Sequence, residues 1–240
     1  MKKFYAVVLS LIMMSFFAVP TMAKEAGVIY ANGVSTIELQ PDVAEFDIVI
    51  TTKDKSSLEN ASIANKEISQ KIYNDLGNMI DKSNGDYLKT VNYSAEPHYY
   101  YNNGKQIFEA FMVTNTITVH TKKITEIGML IDKALNLGAT NINNIGFKLE
   151  DYNAYANNLL AIATKKAVTQ AETVAQASGQ KLNGVKSLRT SCNTNNYSQP
   201  RFYKVATGMM DNAMSVENST QVQGGAIKLY AVVDAEFYLK

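Results

Sequence analysis

Residues 227–239 read IKLYAVVDAEFYL, and their strict alternation decides the fold class. Ile227, Leu229, Ala231, Val233, Ala235, Phe237 and Leu239 share one face; Lys228, Tyr230, Asp234, Glu236 and Tyr238 share the other. A period of two with one apolar side is the pattern of a half-buried antiparallel strand. A strand of this length is expected to lie beside several others. The same alternation recurs near the start of the chain, where Ala44, Phe46, Ile48 and Ile50 oppose Glu45, Asp47 and Thr51.

Working outward, Val28 to Leu39 reads as an opening strand, and Pro41-Asp42 is turn chemistry that predicts a hairpin with the strand from Ala44. Ser56 and Glu59 form a capping box. Ala61, Ala64, Ile68, Ile72, Leu76 and Ile80 follow as the apolar stripe of a helix. A second hairpin runs through Leu88, Val91 and Tyr93, turns at Asn102-Asn103-Gly104, and returns with Phe111, Val113, Ile117 and Val119 opposite Thr114, Thr116, Thr118 and His120. A helix over about 124–137 stops at Gly138, and a short strand carries Ile145, Phe147 and Leu149. Asp151 then caps the longest helix, whose inward stripe of Tyr155, Leu159, Ala163, Ala167, Ala171, Val174 and Ala175 is unusually small. Leu182 to Leu188 is a further strand. The order β-β-α-β-β-α-β-α-β-β predicts an α+β protein: an antiparallel sheet built from hairpins, with helices on one face. Thr190 to Gln223 is polar and irregular, with Met209, Met210 and Met214 in it. It is expected to be a mobile or functional loop.

Residues 1–23, MKKFYAVVLSLIMMSFFAVPTMA, have the layout of a secretory signal: Lys2-Lys3, an apolar run, and small residues at Thr21 and Ala23. Cleavage after Ala23 is expected, leaving one secreted domain over residues 24–240. With 23 basic and 22 acidic side chains, the chain has neither the basic excess nor the basic stripe of a nucleic-acid binder. No later stretch is long and apolar enough to span a membrane, so no integral span is expected in the mature chain. Cys192 is the single cysteine, so no intramolecular disulfide can form. In its polar surroundings it reads as an incidental surface or half-buried thiol.

Several local motifs, in order, are similar to those of the SIMPL-domain family. They are Gly33-Val34-Ser35, Gln40-Pro41-Asp42-Val43-Ala44, Asn115-Thr116-Ile117-Thr118-Val119, Ile131-Asp132-Lys133-Ala134 with Gly138-Ala139, Ile145-Gly146-Phe147, the alanine-rich helix from Ala161 to Gly179, and Gly224-Gly225-Ala226-Ile227. The resemblance implies a secreted or periplasmic protein. Some members of that family are linked to defence against oxidative stress, some are known as surface or periplasmic antigens, and members can assemble into large oligomers. It supplies no catalytic residues to carry over, and the segment 190–223 departs from its pattern.

The residues offer no catalytic constellation, cofactor motif or metal-ligand cluster. His98 and His120 are the two histidines, and both read as strand-surface residues rather than metal ligands. No Gly-x-Ser-x-Gly elbow surrounds a serine, and Gly224-Gly225 lacks the lysine and helix of a phosphate loop. Tyr99-Tyr100-Tyr101 is the most suggestive cluster: tyrosines favour strands, and near a hairpin tip they form a candidate subunit contact or binding surface. The expectation is a non-enzymatic, self-associating protein with an indirect role in envelope or oxidative-stress protection. Two alternatives stand beside it. One is an enzyme whose site assembles around His98 or His120 with Glu96 or Glu109; the other is a small-molecule or peptide binder using Tyr99–Tyr101.

Overall fold

The computed structural model describes residues 27–195, 201–202 and 220–240. The predicted signal segment 1–23, Met209, Met210, Met214 and most of the segment 190–223 lie outside the described residues. Strands β1 (Val28–Leu39) and β2 (Val43–Asp54) lead into α1 (Leu58–Met79). The hairpin β3 (Tyr87–Asn102) and β4 (Lys105–Thr121) comes next, then α2 (Ile127–Asn136), β5 (Asn141–Lys148) and α3 (Tyr152–Ala177). The chain continues through β6 (Leu182–Asn195), the short β7 (Arg201–Phe202) and β8 (Val222–Gln223), and ends in β9 (Ile227–Leu239). The fold is α+β with antiparallel sheets, in approximately the predicted order.

The sheet is divided in two. One has the order β1-β9-β6 and the other β3-β4-β2-β5, with β7 and β8 as a small separate ribbon. The predicted hairpin between β1 and β2 does not exist, because β1 pairs along its whole length with β9 while β2 pairs with β4 and β5. The turn between them is held instead to the β5–α3 junction. The Asp42 N–H donates to the Lys148 carbonyl at 3.1 Å, and Glu150 N–H donates to Asp42 Oδ1 at 2.7 Å. Pro41-Asp42 is therefore a corner that moves the chain from one sheet to the other.

Each sheet has its own core. In the four-stranded unit Phe46, Ile48, Ile50, Ile117 and Val119 meet Ile72 and Leu76 of α1 and Ile127, Leu130 and Ile131 of α2. In the three-stranded unit Leu229, Ala231, Val233, Ala235 and Phe237 meet Leu159, Ala163, Ala167 and Ala171 of α3. Small residues on both surfaces let α3 lie close to β1 and β9. Ser35 Oγ donates to the Leu159 carbonyl at 2.7 Å across that contact. Val174, predicted inward, is half exposed, and Ala156 takes an inward place. α3 also blunts the free edge of β1: Gln170 Oε1 accepts from Asn32 N–H at 3.0 Å, and Lys166 Nζ donates to the Val34 carbonyl at 2.9 Å. Covering an edge in this way removes a template for unwanted strand pairing.

β6 runs seven residues past its predicted end at Leu188, so Thr190 to Asn195 belong to a strand and not to a loop. Cys192 is half-buried there, opposite Ala231 and packed towards the α3 core. Among the described residues no helix is long and apolar enough to cross a membrane.

Candidate functional site

The β3–β4 hairpin is longer than the sheet that supports it. β2 pairs with β4 as far as Asp54↔Phe111, whereas β3 and β4 continue pairing to Asn102↔Lys105. The remaining residues form a two-stranded arm that projects about 20 Å at the usual rise per strand residue. Its tip is Asn103-Gly104, both at positive φ (48° and 77°), the backbone that a tight Asn-Gly turn demands.

The predicted tyrosines lie on this arm and all are exposed, Tyr99 by 42%, Tyr100 by 47% and Tyr101 by 74%. Phe108, directly opposite Tyr99, is 40% exposed. The Tyr99 and Phe108 rings meet edge to face at 5.7 Å, and Phe108 meets Phe111 in the same manner at 5.1 Å. This row of rings is a geometry that aromatic pairs favour. At the root of the arm Glu109 accepts from Lys53 Nζ at 3.0 Å and lies 3.2 Å from His98 Nε2. Those groups fasten the arm to β2. The tyrosines were legible in the sequence; the projection of their hairpin was not, because nothing in β3 says where its neighbours stop.

The two histidines are not brought together. His98 pairs with Ala110 and His120 with Tyr87, about 30 Å apart along the hairpin. His120 is nearly buried, with Nδ1 3.0 Å from Glu45 Oε1 and Nε2 3.2 Å from Glu150 Oε2. Lys148 is paired with Glu45, and Lys122 lies 3.6 Å from Glu150, so each carboxylate beside the ring also has a lysine partner. The Tyr87 ring stacks on His120 at 4.6 Å. Burial pushes the Glu45 carboxyl up, but hydrogen bonds and charge from Lys148 and His120 outweigh it and hold Glu45 below its ordinary value. This network ties β2, β4 and β5 to the start of α3. Glu96 lies opposite Met112, in neither histidine's ion pair. Among the described residues no group of three or more His, Cys, Asp or Glu side chains has the arrangement to hold a metal ion.

Sequence reasoning missed a buried polar cluster under α1. Asn65, Ser69 and Asn115 lie inside the apolar layer, each more than nine-tenths buried. The available signal was the gap they leave: β4 alternates Val113, Ile117, Val119 with a polar residue at 115.

A protein-family model described as "SIMPL: Protein of unknown function (DUF541)" matches residues 29–237. The chain is 24% identical over 212 residues to the "Uncharacterized protein YggE" of Escherichia coli K12, covering 88% of this chain and 83% of that protein. It is 23% identical over 183 residues to the "26 kDa periplasmic immunogenic protein" of Brucella melitensis biotype 1, covering 71% of each.

Proposed function

The chain belongs to the SIMPL family, and on that premise we propose that it is a periplasmic, non-enzymatic protein that assembles with copies of itself through the β3–β4 arm. The observation that carries this reading is the set of exposed aromatic side chains on the arm, Tyr99, Tyr100, Tyr101 and Phe108. A two-stranded hairpin standing alone in water is at best marginally stable. Exposed aromatic surface of this kind is characteristic of protein–protein contacts. A second copy covering the arm would satisfy both conditions. The compartment follows the signal-like layout of residues 1–23 and the name of the Brucella relative. The role in envelope or oxidative-stress protection is indirect and follows the family resemblance.

Size-exclusion chromatography with light scattering on the chain beginning at Lys24 tests the assembly. The expected result is an oligomer at micromolar concentration that falls to smaller species when Tyr99, Tyr100 and Tyr101 are all changed to serine. The melting temperature of the dilute protein should change little, because these side chains are outside both cores. A strictly monomeric wild-type chain, or an oligomer untouched by the triple change, would overturn the reading.

A further inference from the structure

The β4 edge of the arm is open where β2 ends. β2 accompanies β4 only to Asp54↔Phe111, and among the described residues nothing pairs with the outer side of Lys105 to Ala110. Unpaired main-chain groups along a strand edge are a template for another strand. The outer edge of β3 is a poorer template. Val91 is an extra residue in its ladder with β4, and Pro97 has no N–H to donate.

The turn fixes which groups of β4 point outward. Asn103-Gly104 is a two-residue turn, so Asn102 and Lys105, which close it, are hydrogen-bonded to each other. Bonded and non-bonded pairs then alternate along the antiparallel ladder. Lys105 and Ile107 therefore direct their N–H and C=O to Asn102 and Tyr100, while Gln106 and Phe108 turn theirs away from β3. The regular stretch ends at Glu109, the extra residue of β4 between Tyr99↔Phe108 and His98↔Ala110.

That edge, Lys105-Gln106-Ile107-Phe108-Glu109, is complementary to its own reverse. Two copies set antiparallel about Ile107 place Gln106 of each opposite Phe108 of the other. Both residues have their main-chain groups facing the seam, so each such pair exchanges two N–H···O=C bonds. Lys105 comes opposite Glu109, which Lys53 and His98 cover only in part, and no like charges are opposed. A slip of one residue would set an outward-facing residue against an inward-facing one. Centring on Phe108 would drive the neighbour's turn into the end of β2. Centred on Ile107, the turn lies beside Ala110, one residue short of the Asp54↔Phe111 pair.

We propose that the arms of two copies join edge to edge through β4, antiparallel about a two-fold axis at Ile107. The product is a ribbon of four strands, past the minimum that a lone two-stranded hairpin lacks. One face carries Tyr100 and Ile107 of both copies. The other carries Tyr99 and Phe108, already in ring contact, together with Tyr101. This pairing presupposes that copies assemble through the arm and adds the register in which they meet.

A two-fold axis at one residue has a sharp signature, because only that residue stands beside its own copy. The test uses the chain beginning at Lys24 in a Cys192→Ala background, with oxidised glutathione as the oxidant. Ile107→Cys should give a covalent dimer, since a non-hydrogen-bonded pair brings the Cα atoms to about 4.5 Å, within disulfide reach. Lys105→Cys should cross-link at least about tenfold more slowly, its two copies being about 13 Å apart along the seam. Gln106→Pro removes an outward N–H and leaves the bonds to β3 intact. It should reduce the oligomer to smaller species by light scattering, with the thermal transition of the dilute protein unchanged. Gln106→Thr keeps the N–H and should stay assembled. Cross-linking of Ile107→Cys no faster than that of Lys105→Cys would overturn the pairing and leave the assembly reading standing. So would an oligomer that the triple tyrosine change dissolves and Gln106→Pro does not. A monomeric wild-type chain would overturn both.

Discussion

Gly33 shows how tightly one residue can constrain a layer. A Cβ placed there would stand 1.9 Å from the Ala163 carbonyl oxygen and 2.8 Å from the Ala167 nitrogen, both backbone atoms that cannot swing aside. Gly33→Ala should therefore cost about 3 kcal/mol, at the upper end of overpacking effects, read as a fall in the denaturant midpoint. A loss of under about 1 kcal/mol would mean that α3 is not seated on β1 as described. Asp86 is the second decisive residue. Its carboxylate is buried, which raises its pKa, but it accepts from Lys122 N–H at 2.8 Å, Asp81 N–H at 3.0 Å and Thr121 Oγ1 at 2.8 Å. These bonds outweigh burial and hold Asp86 below its usual 3.8. A depressed carboxylate contributes stability above its unfolded pKa and loses it as pH falls through the folded one. Asp86→Asn should thus be less stable by about 2 kcal/mol at neutral pH, and the gap should close only below about pH 4. A difference between wild type and variant that is the same at pH 3 as at pH 7 would sink this assignment.

At the scale of elements, local punctuation was legible and inward faces only partly so. Asn103-Gly104 and Asp151 were readable because turn and cap chemistry act within a few residues; Asp151 Oδ1 accepts from Ala154 N–H at 2.9 Å as its position implied. The start of α1 was displaced by one residue. Ser57 is the N-cap, its Oγ accepting from Glu59 N–H at 3.1 Å, while Ser56 N–H donates to Asp54 Oδ1. Ser57→Ala should lower the melting temperature by the equivalent of about 1 kcal/mol, and Ser56→Ala should leave it nearly unchanged. Equal effects from the two serines would contradict the observed cap. Farther along α1 the apolar stripe misled. Ala64 is exposed, whereas polar Asn65 points inward because the Ile50 and Val113 carbonyls give it partners. A hydrophobic period cannot register such a residue, since what permits its burial is a strand elsewhere in the chain. The polar cluster of Asn65, Ser69 and Asn115 was hidden for the same reason, while the tyrosines of the arm were visible as soon as their strand was.

Across the whole molecule, what sequence periodicity could not supply was the choice of partner. Alternation told which face of β1 and β9 is apolar, yet their pairing, from Val28↔Tyr238 to Leu39↔Ile227, joins opposite ends of the chain. Hence two sheets stand where one was expected, and an asymmetry follows that can be tested. The four-stranded unit, with α1 and α2, is continuous from Val43 to Lys148. The three-stranded unit is interrupted, since β1 precedes that stretch while α3, β6 and β9 follow it. The continuous unit contains nearly all of its own core, and its main external support is the 220–222 segment. There Thr220 bonds to Asp132 at 2.6 and 2.9 Å, and Val222 packs on the core edge. A fragment of residues 43–148 should therefore fold alone, with dispersed amide NMR signals and a cooperative melt at a lower temperature than the intact chain. A fragment of residues 149–240 should not, because it lacks β1, the strand on which Ala163 and Ala167 are seated. Adding a peptide of residues 27–40 to that second fragment should restore helical and strand signals by supplying the missing edge. If 43–148 gave only random-coil spectra, the two cores would be one cooperative body, and the separation inferred from their packing would be wrong.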